Sequence, residues 1–101
     1  MEIQKNLEGD KLTVTLIGRL DTVTAPNLES ELKDVLGNLK ELIFDFNQID
    51  YVSSAGLRVL LSCQKTMNNQ GTMKVINVSN DVNDIFEITA FNKILTIEKK
   101  Q

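Results

Sequence analysis

Two adjacent hydroxyls, Ser53 and Ser54, stand between the apolar run "LIFDF" and the helix-like run "AGLRVLL". A serine in such a place could be a nucleophile, a helix cap or an anion site, and each asks for different neighbours. The chain has no histidine and one cysteine, so neither a Ser-His-Asp triad nor a Cys/His zinc site can be assembled. "VSSAG" departs from the G-x-S-x-G elbow, and no lysine lies near the pair in sequence. The P-loop and G-x-G-x-x-G patterns are both missing. Asp21 and Asp50 could share a pocket only if the fold brings them together. No catalytic residue, cofactor or metal ion is expected, and the chain is not expected to be an enzyme.

Three readings of the serine pair stay open on residue types alone. Either serine could cap the adjoining helix, its oxygen accepting an exposed amide of the first turn. The same helix start could hold an anion, because free N–H groups and the helix dipole favour negative charge there. A serine could also be a substrate, phosphorylated by another protein, since Ala55 and Gly56 leave the hydroxyl accessible.

The elements that must position these residues read as strands alternating with helices. "KLTVTLIG" sets Leu12, Val14 and Leu16 against Thr13, Thr15 and Ile17, the period of a strand. "EIQKN" pairs with it as an edge strand through a turn at "EGD". Residues 24–37 predict a helix with Thr24 as N-cap, Pro26 in the first turn and Gly37 as its stop. Leu28, Leu32, Val35 and Leu36 form its apolar stripe, and Glu29 with Lys33 an i, i+4 pair. "ELIFDF", residues 41–46, predicts a buried central strand, and "NQIDYVSS" its outgoing loop. Leu57, Leu60, Cys63 and Met67 mark the buried face of a second helix that ends at Gly71. "MKVIN" is a further strand, residues 79–89 a short helix capped by Ser79 or Asn80, and "ILTI" the last strand.

This order, β-β-α-β-α-β-α-β, predicts one α/β domain over residues 1–101. Its mixed sheet has four to five strands, with helices mainly on one face. "RLDTVT" and "DYVSS" both leave the carboxyl edge of the sheet, where such proteins place their sites. The expected binding surface comprises Asp21, Thr22, Ser53, Ser54, Gly56, Leu57, Arg58 and Leu61, with Leu57 and Leu61 as candidate apolar anchors.

Bulk properties narrow the partners. The chain has 101 residues, a formal net charge of −3 and 42% hydrophobic residues, which suits one small core. An acidic domain with 5% aromatics is a poor match for nucleic acid, which demands a basic patch. No run approaches the roughly 18 apolar residues of a membrane helix, and the N-terminus lacks a signal-peptide pattern. Cys63 is expected to be a buried thiol in a reducing, cytoplasmic setting.

Three stretches resemble the STAS domain of the bacterial anti-sigma factor antagonist family: "GRLDTVTAPNLESEL", "LIFDFNQIDYVSSAGLRVLL" and "NVSNDVNDIFEITAFNKILTI". The resemblance implies a phosphoprotein that takes part in partner switching. A serine at the start of the second helix is phosphorylated by an anti-sigma factor that is also a kinase. The unphosphorylated form binds that kinase and so frees a sigma factor, and a protein phosphatase restores it. Matching Gly56-Leu57 to the family's Gly-Leu puts the acceptor at Ser54, with Ser53 as its rival. Ser53 stands where many members carry Asp, Ala55 where many carry a second hydroxyl, and Ala90 where a glycine is usual. Other STAS roles are accessory subunits of lipid-trafficking transporters and components of signalling assemblies. A small anion- or ligand-binding module is the alternative outside the family.

Overall fold

The computed structural model describes residues 1–100. Five strands form one sheet in the order β1-β2-β3-β4-β5: β1 (Glu2–Glu8), β2 (Lys11–Leu20), β3 (Glu41–Val52), β4 (Thr72–Val78) and β5 (Ile97–Lys99). β1 is antiparallel to β2, and the other pairs are parallel. Between the parallel strands run α1 (Ala25–Leu32), α2 (Ser54–Asn68) and α3 (Asn80–Ile88).

Alternation decides which face the helices cover. Leu12, Val14 and Leu16 of β2 are buried, as are Leu42, Phe44 and Phe46 of β3 and Met73 and Val75 of β4. Against them pack Leu28 and Leu32 of α1, Leu60, Cys63 and Met67 of α2, and Val82 and Phe86 of α3. Phe46 stacks on Phe86 with ring centroids 6.3 Å apart. The opposite face carries half-buried Thr13, Thr15, Ile17, Asp45, Lys74 and Ile76, with a Lys74–Glu98 ion pair at 3.6 Å. The mixed sheet with helices on one face is therefore present.

Four local expectations need correction. β3 does not stop at Phe46; "NQIDYV" continues it to Val52. Its pairing with β2 slips twice, between Thr15 and Ile17 and between Gly18 and Arg19, each time with an extra residue on β3. Such bulges bend a strand and re-aim its side chains. The buried positions accordingly change from every second residue to Phe46, Ile49 and Val52.

The first helix ends at Leu32 instead of running to Gly37, which lies in a separate 3-10 turn, Leu36–Asn38. Glu29 and Lys33 do not pair, and both face the groove between α1 and α2. The last strand begins at Ile97, not Ile94, because Val75 pairs with Ile97. A 3-10 turn, Phe91–Lys93, precedes it, and Leu95 fills the core from the connection. Ala90, in place of a glycine, holds a left-handed conformation at φ 62°.

Candidate functional site

The site is built where β2 and β3 end and α1 and α2 begin. Ser53 N–H donates to the Leu20 carbonyl at 2.9 Å, which ties the start of α2 to the end of β2. Gly56 permits this approach. A Cβ there would stand 2.8 Å from Leu20 Cγ and 2.9 Å from Leu20 O, closer than side chains tolerate. The Gly-Leu of the motif is thus a packing requirement, and Leu57, 6% exposed, belongs to the core. Leu57 is not available as a surface anchor, whereas Leu61 is half-buried one turn further along.

The two serines have different tasks. Ser53 has extended backbone angles, φ −88° and ψ 174°, and its Oγ accepts the Gly56 N–H at 3.3 Å. That is N-cap geometry. Ser54 is the first helical residue and is exposed. Its hydroxyl makes no hydrogen bond among the described residues. No acidic residue occupies the first turn of α2.

The neighbouring β2–α1 loop is held by Asp21. Asp21 Oδ1 accepts the N–H groups of Val23 and Thr24, both at 3.0 Å. Thr24 Oγ1 accepts the Asp21 N–H at 2.8 Å and donates to the Arg19 carbonyl at 2.7 Å. Thr24 therefore sits at the cap position of α1 without capping it; the Asp21 carboxylate takes the two amides just ahead of the helix, and the Asp21 main-chain carbonyl accepts the first helical amide, Ala25 N–H. These bonds, from Thr24 first, and the Arg19 guanidinium hold the Asp21 carboxyl below its ordinary 3.8 against the opposing pull of burial. Its hold on the loop is present above that ordinary value and is lost as pH falls through the lowered one. Arg19 Nε lies 3.6 Å from Asp21 Oδ2, and its guanidinium sits 4.6 Å above the Tyr51 ring.

Between α1 and α2 runs a groove. Its upper part, about 300 Å³, is lined by Thr22, Pro26, Glu29, Ala55, Arg58 and Val59, with Ala25 beneath. It continues past Glu29 and Val59 into a space of about 310 Å³ that ends on Cys63. Burial, with the Glu29 carboxylate adding to it, pushes the Cys63 thiol up to about 12, so it stays a protonated, unreactive thiol at neutral pH.

Of the residues expected from sequence, Asp21, Thr22, Ser53, Ser54 and Arg58 meet at one edge, and Gly56 and Leu57 lie beneath them. Asp50 is exposed on β3. Val23, Arg19 and Tyr51 were missed. An apolar residue between two threonines just ahead of a helix, "TVT", was the available signal for Val23. No group of acidic or sulfur ligands that could hold a metal occurs among the described residues. No helix there is long and apolar enough to cross a membrane.

An α/β domain with a serine-led helix at the carboxyl edge of its sheet defines a class, and the sequence comparison agrees: the chain belongs to the STAS domain family, which matches residues 1–100. Among curated relatives it is 33% identical over 88 residues to BtrV of Bordetella bronchiseptica, for which an anti-sigma factor antagonist role has been proposed. That match covers 85% of this chain and 76% of BtrV. It is 28% identical over 101 residues to the anti-sigma-B factor antagonist of Bacillus subtilis, covering 99% and 91% of the two chains. The fold matches the antagonist SpoIIAA in its unphosphorylated form with a TM-score of 0.83 at 15% identity, over 95% of this chain and 87% of that one. Against the phosphorylated form of SpoIIAA the TM-score is 0.75, over 95% and 90%.

Proposed function

We propose that the chain is a cytoplasmic anti-sigma factor antagonist whose switch is the Ser54 hydroxyl. With Ser54 free, it binds an anti-sigma factor that is also a serine kinase, and that partner releases its sigma factor. The kinase transfers the γ-phosphoryl group of ATP to Ser54 Oγ. An O–P bond forms at Oγ, the bond to the ADP leaving group breaks, and the hydroxyl proton passes to a base of the kinase. The base, ATP and metal ion all belong to that enzyme, so the absence of histidine is no obstacle. A phosphatase hydrolyses the ester and resets the domain.

The observation that carries this reading is the division of labour between the serines: Ser53 is spent on the cap, and Ser54 is exposed with an unused hydroxyl. The antagonist relatives supply the partner class. Phosphate adds about −1.5 to −2 charges at neutral pH, and an interface shaped for a hydroxyl would have to bury them.

The test is incubation with the cognate kinase and ATP, followed by mass spectrometry of the peptide spanning residues 50–61. One phosphate on Ser54, retained in Ser53→Ala and lost in Ser54→Ala, is the expected result. A phosphate that disappears only in Ser53→Ala would move the acceptor by one residue. An unmodified wild-type chain would refute the switch.

A further inference from the structure

We propose that Val23 is the apolar anchor of the surface that receives the anti-sigma partner, and that Asp21 is a positioning residue that holds Val23 in place. This rests on the function proposed above, since the partner is the same.

Val23 is 79% exposed. Ile88, also highly exposed, ends α3 at the opposite edge of the sheet. Single exposed apolar residues are common on protein surfaces. Val23 differs in that its backbone is fixed. Its own N–H and that of Thr24 are held by Asp21 Oδ1, Thr24 Oγ1 bridges the Asp21 N–H and the Arg19 carbonyl, and Ala25 N–H donates to the Asp21 carbonyl at 2.8 Å. A side chain on an already ordered backbone loses little further freedom when a partner covers it.

The same bonds occupy the Asp21 carboxylate. Oδ1 faces the loop amides and Oδ2 faces Arg19. The carboxylate therefore acts through the loop. The Leu20 carbonyl receives Ser53 N–H, so the Val23 loop and the Ser54 helix start are tied together at one edge. Arg58, on the groove beside Thr22, is exposed and has no carboxylate within 4.0 Å among the described residues. The partner surface that fits this edge carries an apolar pocket for Val23 and a carboxylate for Arg58. A phosphate on Ser54, one helical turn before Arg58, would compete with that carboxylate for the guanidinium.

The experiment measures affinity for the cognate anti-sigma kinase by titration calorimetry. It compares wild type with Val23→Ser, Asp21→Ala, Asp21→Asn and Ser54→Asp, with melting curves and amide exchange on each free variant. Val23→Ser is expected to weaken binding roughly tenfold to a hundredfold, the effect of uncovering one apolar side chain, with its melting unchanged. Asp21→Ala should lose a similar factor while amide exchange at Val23 and Thr24 accelerates. Asp21→Asn keeps an acceptor oxygen for both amides, so it should recover most of what Asp21→Ala loses. If Val23→Ser binds like wild type while Ser54→Asp is blocked, the switch stands and the anchor is wrong. If Asp21→Asn loses as much as Asp21→Ala with its loop amides still protected, the carboxylate touches the partner and the positioning role falls. If wild type neither binds the kinase nor is phosphorylated by it, the function proposed above fails, and the anchor with it.

Discussion

α2 and α3 begin in the same way and differ in their first turns. Each leaves the carboxyl edge of the sheet behind a serine, and each serine oxygen accepts the amide three residues on at 3.3 Å: Ser53 from Gly56, Ser79 from Val82. The first helical residue after each cap, Ser54 or Asn80, is exposed. The difference lies in the first turn. α3 places Asp81 there, which meets the positive end of its own dipole. α2 offers only Ala55 and Gly56, with no acidic residue. One helix start is electrostatically complete, while the other has room for a negative group and presents a hydroxyl to carry it. A serine cap is common to both helices; on the function proposed above, the free hydroxyl and missing acid of the first turn behind it set α2 apart.

The largest effect that could break this comparison is on partner binding. Ser54→Asp, or phosphorylation of Ser54, should weaken the anti-sigma partner a hundredfold or more, because a buried unpaired charge costs several kcal/mol. Asn80→Asp, the matching change on α3, should leave that affinity within about twofold, an expectation for a surface away from the interface. Equal losses from both would mean that the two helix starts share the partner.

Next comes packing. Gly56→Ala pushes a Cβ into Leu20 and should destabilise the domain by about 1–3 kcal/mol. Denaturant titration measures it, and an unchanged midpoint would show that α2 can retreat from β2. The caps themselves should match. Ser53→Ala and Ser79→Ala are each expected to cost about 1 kcal/mol, and clearly unequal values would deny that the two caps are equivalent.

Smallest is the charge in the first turn. Asp81→Asn should cost about 0.3–1 kcal/mol and Ala55→Asp should gain a comparable amount at low ionic strength. Thermal melting at two salt concentrations checks both, since added salt must shrink them.

The sequence made much of this legible, for identifiable reasons. Leu12, Val14 and Leu16 announce β2 because one face of a strand is buried and the other is not. The continuation of β3 stayed hidden because two bulges replace period two with buried residues at Phe46, Ile49 and Val52, a spacing no strand template contains. Residue types could not assign the serines, since either can cap; the extended backbone of Ser53 makes the assignment. Asp21 is legible as a member of the expected binding surface, but the use of its carboxylate oxygens is not. Two amides and an arginine already claim them, and its spacing to Val23 and Thr24 was the missed sign of a loop closed on its own carboxylate.

The close seat of Gly56 on Leu20 has a further consequence. In the function proposed above, a phosphate on a first turn seated this closely on β2 acts at the partner surface itself. Phosphate and partner then exclude one another at a single place, and binding linkage makes the exclusion mutual. Whatever factor the phosphate removes from partner affinity, a bound partner removes from the standing of the phosphorylated form relative to the free hydroxyl. Such a switch needs no second shape of the domain. In the function proposed above, its output is the fraction of molecules whose Ser54 is bare, which the kinase lowers and the phosphatase restores.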